Sequence, residues 1–199
     1  MKLFFHYCSF GFGNCYVLGS ADAIIIDPGH MAKQLLEFIE TNDFFLRAVL
    51  ITHDHKTHVQ GLRTLKRIYN TDVYAINRVI QDSQTIPVKD GDIIDIGPFN
   101  VEVISIPGHS ADSVVYRIGT LLFTGDVLTT GLVGTTASAY GAKTQINKLR
   151  SRILSLPGDY TVLPGHGPPS TLEAERRFNA DINDYNDLQN RKPGFKIQL

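Results

Sequence analysis

Only two cysteines, Cys8 and Cys15, occur in the 199 residues. Two thiols seven positions apart cannot define a disulfide framework. Lacking a CxxC spacing, they read as reduced, partly buried side chains rather than as a redox pair or metal ligands. No run approaches the ~20 apolar residues that a helix needs to cross a bilayer. The apolar start, Leu3-Phe4-Phe5, is interrupted by His6, Gly11, Gly13 and Asn14 too soon for a signal-peptide core. A cytoplasmic location is the expectation. Charge of one sign is missing too: 19 basic and 20 acidic residues leave a net charge of −1. That balance argues against nucleic acid or an anionic membrane as a partner. The pairs Arg176-Arg177 and Arg191-Lys192 read as solvated surface. There is no repeat at solenoid period and no low-complexity segment. What remains is an ordinary globular chain, expected to form one domain over residues 1–199 and to act on a small molecule as a monomer or homodimer.

The hydrophobic pattern alternates between strand and helix. Residues 3–9, 15–18 and 23–26 read as a β-meander, stopped by the turn Asp27-Pro28-Gly29. Residues 30–41 and 58–69 carry apolar positions at helical spacing, and residues 46–51 and 73–76 read as strands. Short strands are expected at 93–96 and 99–106, then a hairpin over 113–118 and 120–124. Residues 131–141, rich in glycine, threonine and alanine, read as a long functional loop. A helix over 144–156 and a strand over 160–163 follow. The final helix is expected from about 170 to 190, capped by Ser170 with Glu173 three residues on. Beyond Pro193-Gly194, a tail at 191–199 contains Phe195, Ile197 and Leu199, which alternate like a short strand.

The chemistry lies where strands end. The apolar run Ala48-Val49-Leu50-Ile51 delivers Thr52-His53-Asp54-His55-Lys56-Thr57-His58. Three other segments close a strand in the same way: Pro107-Gly108-His109, Gly125-Asp126 and Pro164-Gly165-His166. Ligands bind outside the carboxyl ends of strands in open α/β arrangements. A lone strand-end histidine is usually structural, but four such loops in one chain point to a metal. Imidazole and carboxylate without thiolate suit zinc, iron or manganese. Such a site lowers the pKa of a bound water and polarises a carbonyl, which is metal-assisted hydrolysis.

These motifs, with Asn14-Cys15-Tyr16 and Ile26-Asp27-Pro28-Gly29, resemble the metallo-β-lactamase superfamily. Within it they resemble the short glyoxalase II-like (hydroxyacylglutathione hydrolase-like) hydrolases. The resemblance covers about residues 10–180. It implies an α/β fold, an αββα four-layer sandwich with metals at one edge. It also implies that His53, His55 and His109 hold a first metal, that Asp126 bridges two metals, and that His58 and His166 belong to the second. Asp27 would brace the metal loop from behind the ligands.

Two departures qualify the resemblance. The family motif is His-x-His-x-Asp-His, and Thr57 occupies the aspartate position. A neutral hydroxyl is a poor ligand for a divalent ion. One metal is therefore expected more than two: zinc, or else iron or manganese. In the loop after Asp126, Thr135 and Ala137 stand where glyoxalase II enzymes place a lysine and a tyrosine for glutathione, which argues against a glutathione thioester. Tyr140 and Lys143 are candidate substrate contacts. The expected function is hydrolysis of a small ester-like substrate, a thioester first, by attack of metal-bound hydroxide. The alternatives are a mononuclear iron enzyme like the persulfide dioxygenases, using His53, His109 and Asp126, or a metal-binding homologue without turnover.

Overall fold

The computed structural model describes residues 1–7 and 11–183. Cys8, the continuation of the last helix toward 190 and the alternating tail at 195–199 lie outside the described residues.

The meander is present as β1 (Lys2–Tyr7), β2 (Asn14–Gly19) and β3 (Asp22–Ile26), paired antiparallel. Helix α1 (Lys33–Thr41) returns the chain to β4 (Phe45–Leu50), which lies parallel to β3. The predicted helix over 58–69 is two pieces, α2 (Lys56–Val59) and α3 (Leu62–Ile68). Between them the Gly61 N–H donates to the Pro28 carbonyl at 2.7 Å, pinning the break to the turn after β3. Strand β5 (Asp72–Ala75) lies parallel to β4. A small hairpin of β6 (Val79–Ile80) and β7 (Ser83–Gln84) follows, and β8 (Ile86–Pro87) completes a mixed six-stranded sheet in the order β1-β2-β3-β4-β5-β8.

The second half builds the other sheet. Its strands are β9 (Ile93–Ile96), β10 (Phe99–Ser105), β11 (Val114–Ile118) and β12 (Leu121–Gly125). The hairpin of β13 (Leu128–Thr129) and β14 (Leu132–Val133) leads into the predicted long loop, with β14 at its start. Helix α4 (Ala139–Leu149) begins five residues earlier than the apolar spacing suggests and runs into a π-helical turn, Arg150–Leu154. Its start is fixed by Ser138, whose hydroxyl accepts the Gly141 N–H at 3.0 Å. Then come β15 (Thr161–Pro164), β16 (Ser170–Thr171) and α5 (Leu172–Phe178), giving the order β16-β15-β12-β11-β10-β9. The cap of α5 is Thr171, accepting from the Ala174 N–H at 3.2 Å. Ser170 instead donates to Glu175 at 2.5 Å.

Three apolar clusters show the four layers. Tyr16, Ile24, Leu50, Val103, Tyr116 and Phe123 pack between the sheets. Leu35, Ile39, Leu62 and Leu65 cover the outer face of the first sheet. Leu149, Ile153 and Leu172 cover the outer face of the second. The αββα sandwich follows from the period-2 apolar faces of the strands meeting the apolar stripes of the helices. Among the described residues, no helix is long and apolar enough to cross a membrane.

At one edge the sheets are stitched by polar bonds. Tyr116 Oη donates to the Ile51 carbonyl at 3.0 Å. Tyr16 Oη and Asn14 Nδ2 both donate to the Pro164 carbonyl, at 2.7 and 2.9 Å. The Val114 N–H donates to the Thr52 carbonyl at 2.9 Å. The four strand-end loops meet at this edge.

Candidate metal centre

Each loop delivers its side chain for a local reason. Strand β4 ends at Leu50, the chain curls through Thr52–His55, and His55 caps α2, so that His58 lies inside a helix rather than ahead of one. The register between β12 and β15 shifts between Phe123 and Gly125, which re-aims Asp126 off the strand. Gly165 must be glycine: a Cβ there would lie 2.4 Å from both Asp126 Oδ1 and His58 Cε1.

The side chains form two groups that share Asp126. His53, His55, His109 and Asp126 are one, and His58, Asp126 and His166 are the other, with ligand atoms within 4.8 Å of one another in each. In the first, His55 Nδ1 lies 2.9 Å from His53 Nε2 and 3.0 Å from His109 Nε2. Asp126 Oδ2 lies 3.7 Å from His53 Nε2 and 3.6 Å from His109 Nε2. In the second, Asp126 Oδ1 is 3.3 Å from His58 Nε2, and Oδ2 is 3.5 Å from His166 Nε2. Ligands about 2.0–2.1 Å from a tetrahedral ion stand roughly 3.3 Å apart, so both groups have the spacing an ion requires.

The opposite ring nitrogens strengthen this fit. His109 Nδ1 faces the Thr135 carbonyl at 2.7 Å, and His166 Nδ1 faces the Phe12 carbonyl at 2.9 Å. His58 Nδ1 faces Asp27 Oδ2 at 2.9 Å. Such oxygens only accept, so each Nδ1 carries the proton. His53 Nδ1 faces Thr52 Oγ1 at 3.1 Å, and that hydroxyl already donates to Asp27 Oδ2 at 2.6 Å. Four Nε2 atoms are thereby turned toward the space around Asp126, just as hydrogen bonds to the far ring nitrogen orient histidines in metal sites. His58 Nε2 and Asp126 Oδ1 are buried and have no hydrogen-bond partner. Orphaned buried polar atoms are costly, and an ion between them satisfies both.

The electrostatics of the metal-free centre follow from burial and crowding. Burial, and then the charge on His58, push His53 down to about 3. His55 is lowered by burial and by His109. Burial would also lower His58, but the carboxylates of Asp27 and Asp126 outweigh it and hold the ring up at about 10. Burial would raise Asp126, yet the histidines around it, His58 first, hold it well below the usual carboxylate range. An ion entering the second group thus displaces the His58 proton, while in the first group burial keeps the proton off His53.

The expectation of one metal rather than two is overturned. His58, Asp126 and His166 come together as a second ligand set beside the first, which supports a binuclear centre. The physical reason is that three donors suffice: catalytic zinc sites commonly have three protein ligands and leave a position open. Thr57 is not needed for that count. It packs instead on the glycine loops, where a Cβ on Gly29 would fall 1.8 Å from the Thr57 carbonyl oxygen.

Asp27 does more than end a strand. It is 2% exposed, and besides His58 and the Thr52 hydroxyl it accepts the Thr52 N–H at 2.8 Å. Its φ of 53° is an unfavourable left-handed conformation for a residue with a side chain. Asp54 faces outward, and its N–H is held by Asp112 at 2.9 Å. Tyr140 and Lys143 are exposed on α4. A cavity of about 220 Å³ adjoins the centre and is lined by His109, Asp126, Thr129, Leu132, Val133, Gly134, Thr135 and His166. Tyr140 and Lys143 are not among its walls.

Sequence reasoning missed what holds the cavity wall. The Glu175 carboxylate, 1% exposed, accepts the Gly131 N–H at 3.1 Å and the Asn179 amide at 2.7 Å. Asp181 accepts the Val133 N–H at 2.7 Å. The only signal in the sequence is a carboxylate three positions after Leu172, on the buried face of the last helix, while the apolar Phe178 points to solvent.

Two sheets with helices outside, and two histidine groups sharing one carboxylate at the sheet edge, define a metal-dependent enzyme of the αββα class. The sequence model of the metallo-β-lactamase superfamily matches residues 8–166, and the chain belongs to that superfamily. A protein named hydroxyacylglutathione hydrolase GloC, from Haemophilus influenzae, is 29% identical over 196 residues, covering 85% of this chain and 92% of its own. An uncharacterised protein of Mycobacterium tuberculosis, Rv2581c, is 32% identical, covering 83% and 91%. Among solved structures, the B3 metallo-β-lactamase BLEG-1 superposes with a TM-score of 0.82 at 25% identity, covering 91% of this chain and 99% of its own. TTHA1623 in a di-iron-bound form gives 0.76 at 29% identity, covering 89% and 98%.

Proposed function

We propose that this protein is a binuclear metal-dependent hydrolase acting on a small thioester. The observation that carries the reading is the pair of ligand groups sharing Asp126 beside a small open cavity. His53, His55, His109 and Asp126 would hold one ion, and His58, Asp126 and His166 the other. The structure described as di-iron-bound supports two ions on this fold. The relative named as a hydroxyacylglutathione hydrolase supports hydrolysis of an acylated thiol. Zinc and iron both suit the imidazole and carboxylate donors.

Bound ions would supply an activated water and an electrophile for the carbonyl oxygen. The residues do the rest. Asp126, held ionised by its histidine neighbours, keeps the two ligand groups in fixed relation. Asp27 holds His58 and the Thr52 loop so that neither group reorganises during the reaction. His109, Asp126 and His166 line the cavity. There a water oxygen bonds to the carbonyl carbon, the carbon–sulfur bond breaks, and the water proton passes to the departing thiolate.

The test is metal content followed by turnover. Protein loaded with zinc or iron is assayed for thiol release from a thioester panel, and oxygen uptake is measured on a persulfide. Thiol release with two equivalents of metal supports the proposal. Oxygen uptake without thiol release replaces it with the dioxygenase reading. Bound metal without either leaves a binding protein.

A further inference from the structure

Resting on the hydrolase reading, we infer that the cavity beside the metal centre takes a short, uncharged, aliphatic acyl group, with the thiol carrier left at the rim.

Beyond the ligand side chains, the walls are Thr129, Leu132, Val133, Gly134 and Thr135. None is ionisable. The Thr129 hydroxyl is already committed, donating to the Leu132 carbonyl at 3.2 Å. The Thr135 carbonyl is committed to His109. These walls thus offer mostly methyl and methylene surface and no charge, with the Thr135 hydroxyl as their one uncommitted side-chain hydrogen-bonding group.

Size points the same way. About 220 Å³ is less than the ~300–1,000 Å³ of pockets that enclose drug-sized ligands. Of the two halves of a thioester, a biological carrier thiol is the bulky, charged one. The acyl half is the one that fits.

Charge then discriminates among acyl groups. An ammonium at the far end of the chain would approach two divalent ions and be repelled. A carboxylate there would find no cation on the far wall, and a charge moved off water without a partner is costly. It would be drawn instead to the ions themselves, in competition with the carbonyl that must bind there. Neither charged end gives a productive pose.

The wall is also pre-formed. Leu132 and Val133 belong to the β13–β14 hairpin, which Glu175 and Asp181 hold by its backbone N–H groups at Gly131 and Val133. A short aliphatic chain therefore meets a surface that need not be ordered on binding.

The experiment compares N-acetylcysteamine thioesters of butanoate, succinate and 4-(trimethylammonio)butanoate, each corrected for its enzyme-free thiol release, with metal-loaded wild type and Leu132→Lys. Leu132 is 52% exposed, so a lysine there is accommodated without burying its charge. Circular dichroism melting and metal content confirm that the variant is folded and loaded. The expected result is a kcat/KM at least tenfold higher for butanoyl than for either charged analogue in wild type. In Leu132→Lys the butanoyl-to-succinyl ratio falls at least fivefold. Equal or faster turnover of the succinyl thioester by wild type overturns the inference while leaving the hydrolase reading intact, as does a ratio unmoved by the lysine. Turnover of none of the three by wild type overturns both.

Discussion

Asp27 Oδ2 lies 2.9 Å from His58 Nδ1, and both side chains are buried. The same carboxylate holds the N–H and hydroxyl of Thr52, next to His53. One residue therefore braces both ligand groups. Asp27→Asn keeps the size and tolerates the positive φ, but replaces an anion with an amide. Partners of this kind typically contribute 10–100-fold to metal affinity. The expected outcome is a loss of roughly that size, larger at the His58 group, read by competition with a chromophoric chelator. Unchanged affinity at both sites would show that Asp27 is only a turn residue.

Metal binding at the second group should depend on pH. The metal-free His58 ring is held at about 10 and carries a proton that the ion must displace. Affinity for the site that includes His58 should therefore rise by about tenfold per pH unit, or ~100-fold between pH 6 and pH 8. Chelator competition at the two pH values measures it. A flat profile would mean that the ring is already neutral.

The metal-free protein should be most heat-stable near pH 6.5. His58 has a folded pKa above the unfolded 6.5, so its contribution is full below pH 6.5 and is lost as pH rises toward 10. His53 has a folded pKa of about 3, so the unfolded chain takes up a proton that the folded one refuses as pH falls from 6.5. Stability declines on both sides. Melting temperatures of the chelator-treated protein from pH 5 to pH 9 test this, and a steady rise to pH 9 would contradict the account of His58.

Gly29→Ala should cost about 1–3 kcal/mol, because its Cβ would overlap the Thr57 carbonyl at 1.8 Å and force the metal loop away. Urea denaturation of the metal-free variant reads the loss. An unchanged midpoint would mean that the loop has room to move.

Glu175→Gln should loosen the hairpin and spare the metals. The carboxylate is buried and accepts from Gly131, Ser170 and Asn179, and hydrogen bonds to charged groups contribute about 1.5–3 kcal/mol. The expected result is a raised KM with two metals retained. Loss of metal would place Glu175 in the wrong role.

Much of the side-chain cluster was legible because its members follow apolar runs: β4 leads to His53, β10 to His109, β12 to Asp126 and β15 to His166. What was not legible depends on three-dimensional neighbours. The break at Gly61 is set by the Pro28 carbonyl, and the cap at Thr171 rather than Ser170 by the need for Ser170 at Glu175. The second metal group was misjudged because a motif counts residue types. A missing aspartate at Thr57 looks decisive in a motif, yet the helix at Lys56–Val59 carries His58 to Asp126 and His166 without it.

The most direct test is the metal stoichiometry of the wild-type chain. Protein loaded with zinc or iron, desalted and analysed by inductively coupled plasma mass spectrometry should hold two equivalents per chain, falling to one in His58→Ala. One equivalent in the wild type, unchanged by His58→Ala, would contradict the binuclear centre.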